Sequence, residues 1–131
     1  MRVIGVLRTS CGEISEMSIF GEVGMVIAQI SVVPIGTGSP SVSRYVAQFQ
    51  KELKRLGFKP VLGSMSTVIE AKKIDRILSA LKRLHEMVFE EGAPRAYTSV
   101  TIDERRDKEG SIAQKINSVR KHLSKRTARR R

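Results

Sequence analysis

A chain of 131 residues, 40% hydrophobic and 28% charged with a formal net charge of +11, is long enough for one domain with a real core and too apolar to be disordered. Its single cysteine, Cys11, excludes an internal disulfide, the lack of a Cys/His cluster gives no support to structural zinc, and 5% aromatic residues with no Trp argue against a large aromatic cradle. No apolar run approaches the roughly 18 residues of a membrane span, and "VIGVL" is too short for a secretory signal, so a soluble cytoplasmic protein is expected.

The first 24 residues, MRVIGVLRTSCGEISEMSIFGEVG, hold neither a helical nor an alternating period. Glu22 and Val23 can be encoded GAG GTG, a purine-rich ribosome-binding sequence just ahead of the Met25 codon. Two readings stand: Met25 is the true start and residues 1–24 are an N-terminal extension from a mis-assigned start, or they form a strand or arm. The intact mass of native protein separates them.

From Met25 the pattern is regular. VIAQISVV (Val26 to Val33) predicts a strand, with Val26, Ala28, Ile30 and Val32 on one face and Ile27, Gln29, Ser31 and Val33 on the other. The run meets Pro34, and a turn-rich segment, Ile35 to Ser43, follows. Val42, Val46, Phe49, Leu53 and Leu56 then share one helical face. Ser39 is the expected N-cap, Pro40 the first helical position and Gly57 the stop. Phe58 to Ala71 reads as a hairpin around Gly63 and Ser64. Ile74, Ile77, Leu78, Leu81, Leu84, His85 and Val88 predict a second helix closed by Gly92 and Pro94. RAYTSVTID (Arg95 to Asp103) is a fourth strand. Ser111 and Gln114 form a capping-box pattern ahead of a short third helix carrying Ile112, Ile116, Val119 and Leu123. Beyond it, Lys121 to Arg131 hold two Lys and four Arg with no acid, which leaves +5 for the rest of the chain. The basicity therefore belongs to a solvated tail, read as disordered over 123–131, with weak, salt-sensitive affinity for RNA or another polyanion as the sharper reading.

Strand, helix, strand, strand, helix, strand with right-handed crossovers gives a ferredoxin-like βαββαβ sandwich of class α+β. Two helices cover one face of an antiparallel four-stranded sheet. The other face is too apolar for water, so sheet-to-sheet packing in a homo-oligomer is expected, with a ligand site near that junction.

The loop Gly36-Thr37-Gly38-Ser39 offers positive φ, close backbone approach and a helix start, which suit a phosphate or a polar ligand edge. It matches neither the P-loop nor the dinucleotide fingerprint, since Ser41 stands where the latter has its third glycine. A structural strand-to-helix turn is the plainer reading. Glu70 marks either a strand exit or a carboxylate facing a cationic ligand. His85, on the apolar border of its helix, reads as a packed histidine. Asp103, Arg105, Arg106 and Asp107 read as an ion-pair cluster, or as arginine forks for a phosphate. No nucleophile, base and orienting group stand at credible spacing, and Phe58 and Tyr97 alone do not make an RNA-stacking face.

VVPIGTGSPSVS, STVIEA, the HE pair in the second helix and TIDERRDK before the last helix together resemble a family of small thiamine-binding proteins. The likeness spans residues 25–122. It implies a ferredoxin-like fold, dimers or tetramers built through the sheets, and binding of thiamine or a related pyrimidine without catalysis or a required cofactor. Where the family carries a G-T-x-x-E motif this chain has Ser66 in place of Gly, with Thr67 and Glu70 retained. On chemical grounds Glu70 is the candidate partner of the thiazolium cation, and Gln29, Ser31, Thr37 and Ser39 are candidates for the pyrimidine edge. The expected function is storage, delivery or sensing of thiamine or a pyrimidine precursor. The alternative is a nucleic-acid-associated protein using its basic tail, which predicts salt-dependent RNA binding lost on deleting residues 121–131.

Overall fold

The computed structural model describes residues 5–8, 14–17 and 25–128. Within the N-terminal segment, β1 (Gly5–Arg8) and β2 (Ile14–Met17) pair antiparallel as a sheet of their own; the rest of that segment lies outside the described residues. The main body runs β3 (Val26–Ile35), α1 (Ser43–Arg55), β4 (Val61–Leu62), β5 (Thr67–Ala71), α2 (Ile74–Glu90), β6 (Arg95–Glu104) and α3 (Ile112–Ala128). Its four strands lie in the order β4-β5-β3-β6, every pair antiparallel. This is the α+β sandwich that the alternation of elements predicts.

Side-chain alternation sorts β3 as expected. Val26, Ala28, Ile30 and Val32 are buried on the helix-covered face, while Gln29 lies exposed on the other. The core joins them to Tyr45, Phe49 and Leu53 of α1, Ile69 of β5, and Ile77, Leu84 and Val88 of α2. Leu53, Ile69, Ile77 and Leu84 are almost fully removed from water, each worth roughly 1.5–3 kcal/mol of burial.

The helix ends follow from glycine. Gly57 takes φ +88, its N–H bonds Lys54 O at 3.0 Å, and Phe58 N–H reaches back to Leu53 O at 3.0 Å. Gly92, at φ +93, repeats the motif, with Ala93 N–H on Val88 O at 3.2 Å. Both are Schellman closures, and both place an apolar residue, Phe58 or Ala93, in the core just past the turn.

Three boundaries differ from expectation. β3 does not stop before Pro34 but continues to Ile35. β5 pairs only with Val26 to Ile30, so beyond Ile30 that side of β3 has no strand partner among the described residues, and a proline costs no ladder bond there. Helix α1 starts at Ser43, with Val42 as N-cap and no side-chain cap, rather than at Ser39 and Pro40. The hydroxyls of Thr37, Ser39 and Ser41 are engaged inside the loop, where they stabilise turns instead of a helix start. Helix α3 extends to Ala128, well into the stretch read as a disordered tail. Its Ala, Leu, Lys, Arg and Gln content favours helix, and late cations suit its C-terminal dipole.

Candidate functional site

The early end of β5 creates a notch. Thr67 pairs with Ile30, and from Ser31 onward β3 is flanked on that side by the turn Gly63 to Ser66 instead of by a strand. Its outward backbone groups there lack ladder partners, and such groups seek other donors and acceptors. A cavity of about 290 Å3 fills the notch. Val42 at the cap of α1, Val46 and Phe49 within it and Leu84 of α2 supply its apolar wall, and Ser31, Ser64, Ser66 and Thr67 its hydroxyls. Apolar walls with a few convergent polar groups are the usual make-up of a small-molecule site.

Thr67 is buried on the helix-covered face, and Gln50 Nε2 donates to its Oγ1 at 2.7 Å. With that lone pair engaged, the hydroxyl proton can serve another acceptor. Gln50 was not among the expected site residues. It lies four after Val46, at the border of the apolar face of α1, and that spacing was the available signal.

The expected site residues do not all meet. Ser31 and Thr67 line the cavity. The Gly36-to-Ser39 loop leaves β3 after Ile35 and returns at Val42; Val33 and Val42 line the cavity, so the loop arches beside the notch without lining it. Gly36, at φ +84, lies where a Cβ would come within 2.6 Å of Pro94 Cγ, so packing against the start of β6 fixes that glycine. Gly38 also takes positive φ, at +77, with open space around it. Thr37 Oγ1 donates to Ser39 O at 3.0 Å, and Ser39 Oγ accepts Ser41 N–H at 3.2 Å. Gln29 stands on the uncovered sheet face between Val68 and Thr101.

Glu70 is the clearest departure. It pairs with Ile27, at the opposite end of β3 from the loop, about 26 Å away at 3.3 Å per residue. Its Oε2 accepts Ile112 N–H at 2.8 Å, at the first residue of α3. Ser111 Oγ takes Gln114 N–H at 3.1 Å, so the serine half of the expected capping box forms. The Gln114 side chain reaches Ser118 instead, and Glu70 supplies a carboxylate from another element. Within one chain Glu70 therefore holds α3 and does not face the notch.

The other charged candidates are also committed locally. Arg105 forks onto Asp107 at 2.5 and 2.7 Å, and Arg106 onto Glu104 at 3.1 and 3.3 Å. The Arg105 bond holds the Asp107 carboxyl at about 2, below its ordinary range. Asp103 pairs with Lys115 of α3. His85 Nδ1 lies 2.7 Å from Thr98 Oγ1 and its ring meets Phe89 edge-on, which fits a packed histidine. Phe58 is buried under the Arg76 guanidinium and is unavailable for stacking. Among the described residues no group of three His, Cys, Asp or Glu is placed to hold a metal, and no helix is long and apolar enough to cross a membrane.

Comparison with known proteins gives a consistent answer. A family model described as thiamine-binding protein matches residues 28–120. A UPF0045 protein of Methanothermobacter thermautotrophicus is 37% identical over 99 residues, covering 76% of this chain and all of that protein. The Bacillus subtilis UPF0045 protein YqgV is 42% identical over 103 residues, covering 76% of this chain and 98% of that one. Among solved structures, a hypothetical protein of Methanocaldococcus jannaschii superimposes with a TM-score of 0.66 at 37% identity, over 72% of this chain and 95% of that one. A Thermotoga maritima protein, proposed to act in thiamine biosynthesis or salvage, shares the fold with a TM-score of 0.61 at 21% identity, over 72% of this chain and 98% of that one. The family model spans most of the chain and the relatives match it at 37–42% identity over nearly their whole length, so the chain belongs to the thiamine-binding protein family.

Proposed function

We propose that this protein binds thiamine or a related aminopyrimidine, without chemical conversion, in the notch beside β3. The observation that carries the reading is the unpaired edge of β3 from Ser31 onward, facing an apolar cavity of about 290 Å3 rimmed by hydroxyls. An aminopyrimidine presents ring acceptors and an amino donor along one flat edge. That edge can pair with strand backbone as another strand would, while Ser31 and Thr67 meet the atoms the backbone does not reach. The volume lies near the lower limit of small-ligand pockets, roughly 300 Å3, which suits one heterocycle.

Among the described residues the notch of a single chain holds no carboxylate for the thiazolium cation, and Glu70 is turned to α3. Assembly is the second part of the reading. The uncovered sheet face carries Ile27, Val33, Ile35, Val68 and a 60% exposed Tyr97, a surface that a second copy would cover. Dimers or tetramers built this way would bring carboxylates of one copy toward another.

Titration calorimetry with thiamine tests the site. Binding is expected in the wild type, with Ser31→Ala and Thr67→Val each weakening it roughly two- to tenfold, the worth of one net hydrogen bond. If both variants fold and bind as wild type does, the notch is not the site.

A further inference from the structure

A second concavity lies at the opposite end of the sandwich, where α1 ends, β5 ends and α2 begins. It measures about 520 Å3. Met25, Phe58 and Ala71 contribute its apolar lining, and Lys59, Lys72, Lys73 and Arg76 bring four cations to it. The fold assembles this cluster from three places. The Schellman turn at Gly57 buries Phe58 and thereby delivers Lys59 outward. The end of β5 at Ala71 sends Lys72 and Lys73 into the turn before α2. Arg76 stands in the first turn of α2, with its Nη2 bonded to Leu56 O at 2.8 Å and its guanidinium 4.7 Å from the centre of the Phe58 ring.

The charge balance is one-sided. Among the described residues Glu70 is the single carboxylate of the lining, and its Oε2 already accepts Ile112 N–H. Lys59 and Lys72 have no ion-pair partner among the described residues. Arg76 keeps further N–H donors beyond the one on Leu56, and its position is fixed by the carbonyl and the ring. Crowding cations raises the free energy of the empty site, and an anion seated among them lowers it. A pinned guanidinium with ammonium groups around it suits phosphoryl oxygens, the guanidinium giving direction and the lysines charge.

We propose that this concavity binds the phosphate portion of a small phosphorylated molecule, a diphosphate matching Lys59, Lys72 and Arg76 better than a monophosphate. The site is separate from the notch beside β3 and stands whether or not thiamine binds there.

Amide-resolved NMR of the full-length protein, titrated with inorganic phosphate and pyrophosphate against chloride at matched ionic strength, tests the proposal. Saturable shifts are expected at Lys59, Lys72, Lys73 and Arg76, with pyrophosphate the tighter ligand. The pair Lys59→Ala and Lys72→Ala is expected to weaken pyrophosphate at least tenfold. Shifts confined to residues 115–128 would assign the anion to the basic helix and overturn the proposal, as would a double variant that binds within twofold of wild type. Because the wild-type shift map locates the anion by itself, the result holds even if the variant fails to fold.

Discussion

Glu70 shows how one carboxylate suits a ligand and a helix start equally well in sequence. A carboxylate after an apolar run, beside Thr67, invites a ligand role, and only the fold reveals that the first amide of α3 receives it. Strand alternation already separates the two, since Thr67 is buried under the helices and Glu70 faces the other way. The expected result for Glu70→Gln is therefore a loss of about 1 kcal/mol in stability, as a charge-assisted bond becomes a neutral one. Thiamine affinity should stay within about twofold, measured by calorimetry beside a denaturant melt. A tenfold loss of affinity with stability unchanged would instead place this carboxylate against a ligand held by a neighbouring copy. Gly36 is the contrasting case, because its glycine was legible and its cause was not. Sequence suggested close approach to a ligand, whereas the atom that comes close is Pro94 Cγ, just ahead of β6 and about sixty residues away.

The two helices were readable because their apolar residues recur at helical spacing and their ends carry glycine. What binds them to one another was not, because a charge on a helix surface has no period that names its partner. Glu52 of α1 is gripped by Arg55 at 2.5 and 2.9 Å and by Arg83 of α2 at 3.0 Å, and Arg83 also holds Glu90 at 2.7 Å. With only 11% of its side chain exposed, Glu52 is drawn down to about 2, chiefly by its bond to Arg55 and then by Arg83. Its carboxyl titrates near 4.5 once the chain unfolds, so its stabilising effect is complete above that pH and is lost as pH falls from about 4.5 to about 2. Thermal melts of wild type and Glu52→Gln should accordingly differ at neutral pH and converge by about pH 2. Parallel melting curves across that range would show that the α1–α2 link contributes nothing through ionisation. The start of α1 was misread for a related reason. Serine followed by proline suits a helix start and a loop turn equally well, and the local hydroxyl bonds decide for the turn.

For the molecule as a whole, the order of elements was enough to give the sandwich, because few topologies survive the handedness of crossovers. The position of the notch was not legible, because it depends on where β5 begins to pair, and register is a property of two strands together. The far side of the sheet is apolar, and on α3 Ile116, Val119 and Leu123 form a stripe that is 49%, 59% and 61% exposed. Their four-and-three spacing is that of a helix seam, yet Lys115, Arg120 and His122 flank it, so two such helices side by side would meet with like charge. Light scattering on the wild type should report a dimer or tetramer, and Val33→Asp with Tyr97→Asp on the uncovered sheet face should shift it toward monomer. A wild type that is monomeric at tens of micromolar would remove assembly from the account. Pro34 bears on what the protein refuses. A polypeptide entering the gap beside β3 would meet a residue that has no hydrogen to give and a bulky ring in its way, so it could add only a few rungs before stalling. The opening thus admits a short planar guest and turns away an invading chain, which guards the fold against runaway edge-to-edge stacking with its own kind.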